Sequence, residues 1–161
     1  MMRGAWAAVG AYAAITIAAT WPLVLGLDRD VAWDLGDPLF VMWVLAWDCK
    51  QLLAALGGDP GRLASLFDAN IFHPAPLTLA YSEHFVGQAL QVLPIYAATG
   101  NPILCYNLLF LSTFVLSGLG AYLFVRDLTG SHAAGFVAGL AFAFAPYRFP
   151  QASHLQVLSS Q

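Results

Sequence analysis

Three long stretches of this chain carry no charge. "GAWAAVGAYAAITIAATWPLVLG" runs from Gly4 to Gly26, "NPILCYNLLFLSTFVLSGLGAYLFV" from Asn101 to Val125, and "AAGFVAGLAFAFA" from Ala133 to Ala145. A bilayer crossing needs roughly 20 consecutive apolar residues. The pattern therefore predicts three membrane helices, at about residues 4–26, 101–125 and 132–146. Asn101 is placed to cap the second, with Pro102 in its first turn. Gly130 suits its C-terminal stop, and Ser131 the cap of the third. The small residues of the third span permit close helix contact, and mark it as a face for further helices. The first run is longer than a signal-peptide core and reads as an uncleaved helix.

Between the first two spans the pattern changes. Eleven of the fifteen charged residues lie between Asp28 and Glu83. Residues 27–100 therefore read as one long water-facing loop. "PLFVMWVLAWDCKQLLAAL" (Pro38 to Leu56) is helical in pattern, but its apolar run stops at Asp48 and Lys50. With Trp43 and Trp47 it suits a helix lying in the membrane interface. Crossing is the alternative, and would invert the side of everything up to Asn101. A second interfacial helix opens at "YSEH": Ser82 is its predicted cap and Glu83 sits in its first turn. His84, Gln88 and Gln91 then share one stripe. A further helix is expected to start near residue 151 and run to 161.

Composition agrees with this all-α, polytopic reading. The 161 residues are 60% hydrophobic and 9% charged, and mean hydropathy is +0.70. Soluble domains carry roughly 25% charged residues. Net charge is -3, and no basic stripe exists, which excludes nucleic acid as a partner. The two cysteines, Cys49 and Cys105, have no metal or redox spacing.

Few polar residues remain to do chemistry. Asp37 follows Gly36 and precedes Pro38, in a turn that fixes its carboxylate at the start of a helix. It is either that helix's cap or a general base. Glu83, the one glutamate, is either a first-turn acid favoured by the helix dipole or a second catalytic carboxylate. Arg148, after the third span, is suited to a phosphate or to interfacial anchoring. His154 follows it. No Gly-rich phosphate loop, G-x-S-x-G or H-E-x-x-H occurs.

The stretches "GDPLF", "NIFHP", "LAYSEH", "GNPILCYNLL" and "FAFAPYRFPQASHLQ" together resemble a bacterial multi-pass family usually assigned to the GT-C class of membrane glycosyltransferases. The similarity runs from about Asp37 to the end. It implies an enzyme of the bacterial plasma membrane that takes a sugar from a polyprenyl-phosphate donor. Asp37 would be the catalytic residue, with Glu83 beside it. His84, Gln88, Gln91, Arg148 and His154 would bind substrate. Some members hold a divalent cation through acids in the second outer loop. "YRFPQASH" has no acid there, so the metal is unassigned. The acceptor is not specified either. Members have more spans, so residues 1–161 are expected to be the N-terminal part of such a domain, inactive by themselves. A non-enzymatic membrane protein, a transporter part or scaffold, is the alternative.

Arg3 and Arg126 fall at span ends on one side, which the distribution of positive charge makes cytoplasmic. Residues 27–100 should then be external. In intact cells a cysteine at Asp59 should react with an impermeant maleimide, and one at Thr129 only after permeabilisation. Equal external labelling of both would refute this topology.

Overall fold

The computed structural model describes residues 2–159; residues 160 and 161, which end the last expected helix, and the side chain of Arg3 lie outside them. No strand occurs among the described residues. The helices are α1 (Met2–Ala19), α2 (Gly36–Leu56), α3 (Gly61–Ala64), α4 (Val86–Thr99), α5 (Pro102–Thr129), α6 (His132–Ala143) and α7 (Leu155–Leu158). Short 3-10 turns cover Leu23–Gly26, Thr78–Tyr81 and Pro146–Arg148.

α5 is the axis of the structure. Its start is fixed as the sequence predicts: the Asn101 side chain accepts from the N–H groups of Ile103 at 2.9 Å and Leu104 at 3.1 Å. Its end is a left-handed Gly130, φ 71°, which lets the chain reverse into α6. Ser131 then caps α6 by accepting from Ala134 N–H at 3.2 Å.

α6 returns along α5 at glycine distance. A methyl group on Gly135 would meet the Tyr122 carbonyl at 2.6 Å, and one on Gly139 the Gly118 carbonyl at 2.5 Å. The small-residue face expected to await later helices is thus used here, against α5. Val137 and Phe142 point outward instead. α1 lies antiparallel to α5. Gly4 sits beside Tyr122 and His132, and Tyr12 beside Gly118. Further on, Leu27 and Asp30 carbonyls accept from Asn107 at 2.9 and 2.7 Å, and the Asp28 carbonyl accepts from Asn101 at 2.8 Å. Tyr12 is fully buried, stacks on Phe136 and donates its hydroxyl to the Phe136 carbonyl at 3.1 Å.

The larger core lies at the other half of α5. There Val41, Val44, Leu45 and Cys49 of α2 pack with Ala89 and Val92 of α4 and with Cys105, Tyr106, Leu109 and Phe110 of α5. Leu155 and Leu158 of α7 close it.

The expected spans are corrected in length. α1 stops at Ala19, because Pro22 supplies no N–H to continue the helix and the chain turns at Trp21-Pro22. α6 has 12 residues and ends before Ala145-Pro146. At about 1.5 Å per residue it rises ~18 Å against ~30 Å of hydrocarbon. Among the described residues, the helices long and apolar enough to cross a membrane are α5 and α2. α2 qualifies by its 21-residue length and mean hydropathy, although Asp48 and Lys50 interrupt its apolar run, and Asp48 is buried.

The α5–α6 contact yields a stability test. Gly139→Ala should destabilise by about 1–3 kcal/mol, since its methyl would overlap Tyr12 and backbone. Gly10→Ala, with nothing within 4 Å, should stabilise or be neutral. Denaturant unfolding in detergent micelles reads both. Equal effects would refute the tight packing.

Candidate functional site

The polar residues converge on the segment from Ser153 to Ser159, which folds back over α5. Two contacts hold that segment from behind. The Arg148 guanidinium donates to the Thr113 carbonyl of α5 at 3.3 Å and to the Leu158 carbonyl of α7 at 3.2 Å. It also lies over the Phe114 ring, 5.2 Å from the centroid. Burial lowers the guanidinium's pKa from its ordinary value.

The first acid group comes from the turn before α2. Trp33 adopts φ 65°, uncommon for a side chain of its size, and the chain then reverses through Asp34. The Asp34 carboxylate accepts from Gly36 N–H at 2.9 Å, and from the Ser153 hydroxyl at 2.5 Å. The Ser153 bond, chiefly, and the Gly36 bond hold its pKa below the usual carboxylate value. Asp37 stands in the first turn of α2, where the helix dipole favours an anion. Its Oδ2 lies 3.1 Å from Nε2 of His154. Asn107 supports this turn from α5 by binding the carbonyls of Leu27 and Asp30.

The second group comes from the turn before α4 and from its first turn. Glu83 accepts from the Gln156 amide at 3.3 Å, and Gln88 donates to the Ser159 hydroxyl at 3.0 Å. Asp37 and Glu83, 46 positions apart by number, thus meet side chains only two residues apart on one short segment. Asp34, Asp37 and Glu83 are exposed to solvent, so the face presents carboxylates outward. It offers acceptors for hydroxyl groups and a base for a proton. Among the described residues no group of three His, Cys, Asp or Glu is placed to hold a metal ion.

Asp37, Glu83, Gln88 and His154 are therefore assembled together. His84, Gln91 and Arg148 are not on that face. α4 begins at Val86, and Ser82 is extended rather than a helix cap, so His84 precedes the helix and leaves the predicted stripe. Its ring turns inward to Asp48 of α2. Gln91 is exposed and bonds only its own helix, at the Gly87 carbonyl. Arg148 is committed to carbonyls inside the fold. Asp34, Ser153 and Gln156 are the members that sequence reasoning missed. Asp34 stands three positions before Asp37 in "WDLGD", a visible signal. Gln156 and Ser153 gave none, because only the return of the segment over α5 selects them.

Comparison of the chain with known protein families, with curated proteins and with solved structures finds no match.

The Asp34–Ser153 bond has a pH signature. A carboxyl whose folded pKa is lowered adds stability above its ordinary 3.8, and that contribution fades as pH falls through the lowered folded value. The stability difference between the native chain and Ser153→Ala should thus be constant near neutrality and vanish in acid. Denaturant midpoints against pH measure it. A difference that persists below the folded pKa would show that Ser153 acts otherwise.

Proposed function

We propose that this polar face is the donor- and acceptor-binding site of a membrane glycosyltransferase of the GT-C kind, in a bacterial plasma membrane. The observation that carries the reading is the meeting of Asp37 and Glu83 at His154 and Gln156. A scaffold gains nothing from drawing exposed carboxylates from two distant loops onto one segment. In this reading α5 crosses the membrane with the shorter α1 and α6 packed along it, and α2, although long and apolar enough to cross, lies with α4 at the outer surface. The outward side chains Trp6, Ile15, Ile17, Leu116, Phe124, Val137 and Phe142 suit contact with lipid.

The chemistry is an inverting displacement. Asp37, oriented by His154, accepts the proton of an acceptor hydroxyl. The oxygen attacks the anomeric carbon of a polyprenyl-phosphate-linked sugar. The new C–O bond forms as the bond to phosphate breaks, and the phosphate leaves with the electron pair. Glu83 and Gln156 bind sugar hydroxyls, with Gln88 at the edge of the same surface. Asp34, bonded to Ser153, fixes the segment that carries His154.

Sugar transfer from polyprenyl-phosphate donors should be measured in membranes containing the complete reading frame that includes these residues. Asp37→Asn should lower turnover by about 10²–10⁴-fold, the range of general-base losses. Glu83→Gln should chiefly raise KM for the donor. Absence of both transfer and donor binding would overturn the reading in favour of a non-enzymatic membrane protein.

A further inference from the structure

Asp48 and His84 form a buried pair outside the polar face. Asp48 sits in α2 with its side chain wholly buried, and Nδ1 of His84 lies 3.3 Å from its Oδ2. The contact is one of proximity between two buried polar groups. Neither carboxylate oxygen and neither ring nitrogen meets hydrogen-bond geometry with another described group. Around them the surroundings are tight. The His84 ring packs on Phe67 at 4.6 Å between centroids, and the Phe85 backbone N–H faces Asp48. The Leu66 carbonyl, which faces His84, also accepts from the Trp47 indole at 2.8 Å. Burial pushes the imidazole pKa below its ordinary 6.5, a shift the Leu66 carbonyl opposes.

Polar groups are costly to bury in an apolar core, and removal of one member leaves the other with no polar side chain beside it. The pair must therefore be there to hold something. What it joins is specific: the middle of α2 to the turn Ser82–Phe85, which has no helix of its own to fix it. Phe85 is buried behind that turn, while Glu83 is exposed in front of it. Anchoring His84 and Phe85, the two residues that follow Glu83, sets where the Glu83 side chain emerges.

We propose that Asp48 is a positioning residue that, through His84, aims Glu83 at Gln156. The inference deepens the transferase reading, because Glu83 is placed there among the sugar-binding groups. Its geometry can nevertheless be tested without any donor.

Two cysteine pairs report on the site. One replaces Glu83 and Gln156; the other replaces Asp37 and His154. Each is made in the full chain in membranes and joined with a short methanethiosulfonate cross-linker. Cys49 and Cys105 are fully buried, and a sample without added cysteines controls for them. Asp48→Ala should slow linkage of the 83–156 pair by about tenfold, the scale of leaving one buried polar group unpartnered, and leave the 37–154 pair unchanged. His84→Ala should do the same. The double variant should be no slower than either single one, since both remove one contact. An unchanged 83–156 rate overturns the proposal. So does an equal loss at both pairs, which marks a general loss of folding, and so do additive losses in the double variant. If these rates behave as expected but the complete reading frame neither transfers sugar nor binds donor, the transferase reading fails and the positioning contact stands.

Discussion

Every other major element of this fold takes its place from α5, so the constraint that matters most is how one 28-residue helix is covered along its length. The two halves are covered differently. Toward its C-terminal end, glycines of α6 and the Tyr12 ring of α1 approach the backbone closely. That kind of contact needs no apolar solvent difference, and it is how helices associate within lipid. Toward its N-terminal end, bulky Leu, Val, Phe and Tyr side chains of α2, α4 and α7 fill a broad core. A single helix thus serves a close-packed bundle at one end and a more globular cap at the other.

The cap is where the carboxylates gather, and its polar geometry rests on bonds made to α5. Asn107 holds the loop that leads to Asp34 and Asp37, and Arg148 holds the segment that carries His154 and Gln156. Neither is itself on the polar face. Asn107 donates to carbonyls of an irregular loop, which has no ladder of its own to satisfy them, and Arg148 ties a carbonyl of α5 to one at the end of α7. The arrangement explains why the one buried arginine after the third apolar stretch faces inward. Two carbonyls and an aromatic face receive its charge, so it is not free to meet an anion.

The helices and their ends were largely legible in the sequence. Asn101, Pro102, Gly130 and Ser131 mark the limits of α5 and α6 by local chemistry alone, and the structure has those caps at those residues. Asp37 at the mouth of α2 was equally plain. The predicted start of α4 was not correct. Ser82 and Glu83 look like a cap and first turn, yet Ser82 is extended and α4 begins only at Val86, with His84 turned inward to Asp48. The burial of Asp48 in α2 was not legible either, since a charge in the sequence reads as surface until the packing around it is known.

The sequence by itself determined an all-helical chain with the apolar length to enter a membrane, a charge-rich stretch from Asp28 to Glu83, and the identity of its few ionisable side chains. Those follow from periodicity, capping chemistry and hydropathy, which act over a few residues. The tertiary structure decided which polar groups meet. His154 with Asp37, Gln156 with Glu83, and Asp48 with His84 are pairs from distant segments. Their distances depend on how far α1 and α6 sink against the glycines and on where the chain after α6 crosses α5. No local pattern encodes either, because both are set by the summed packing of several helices.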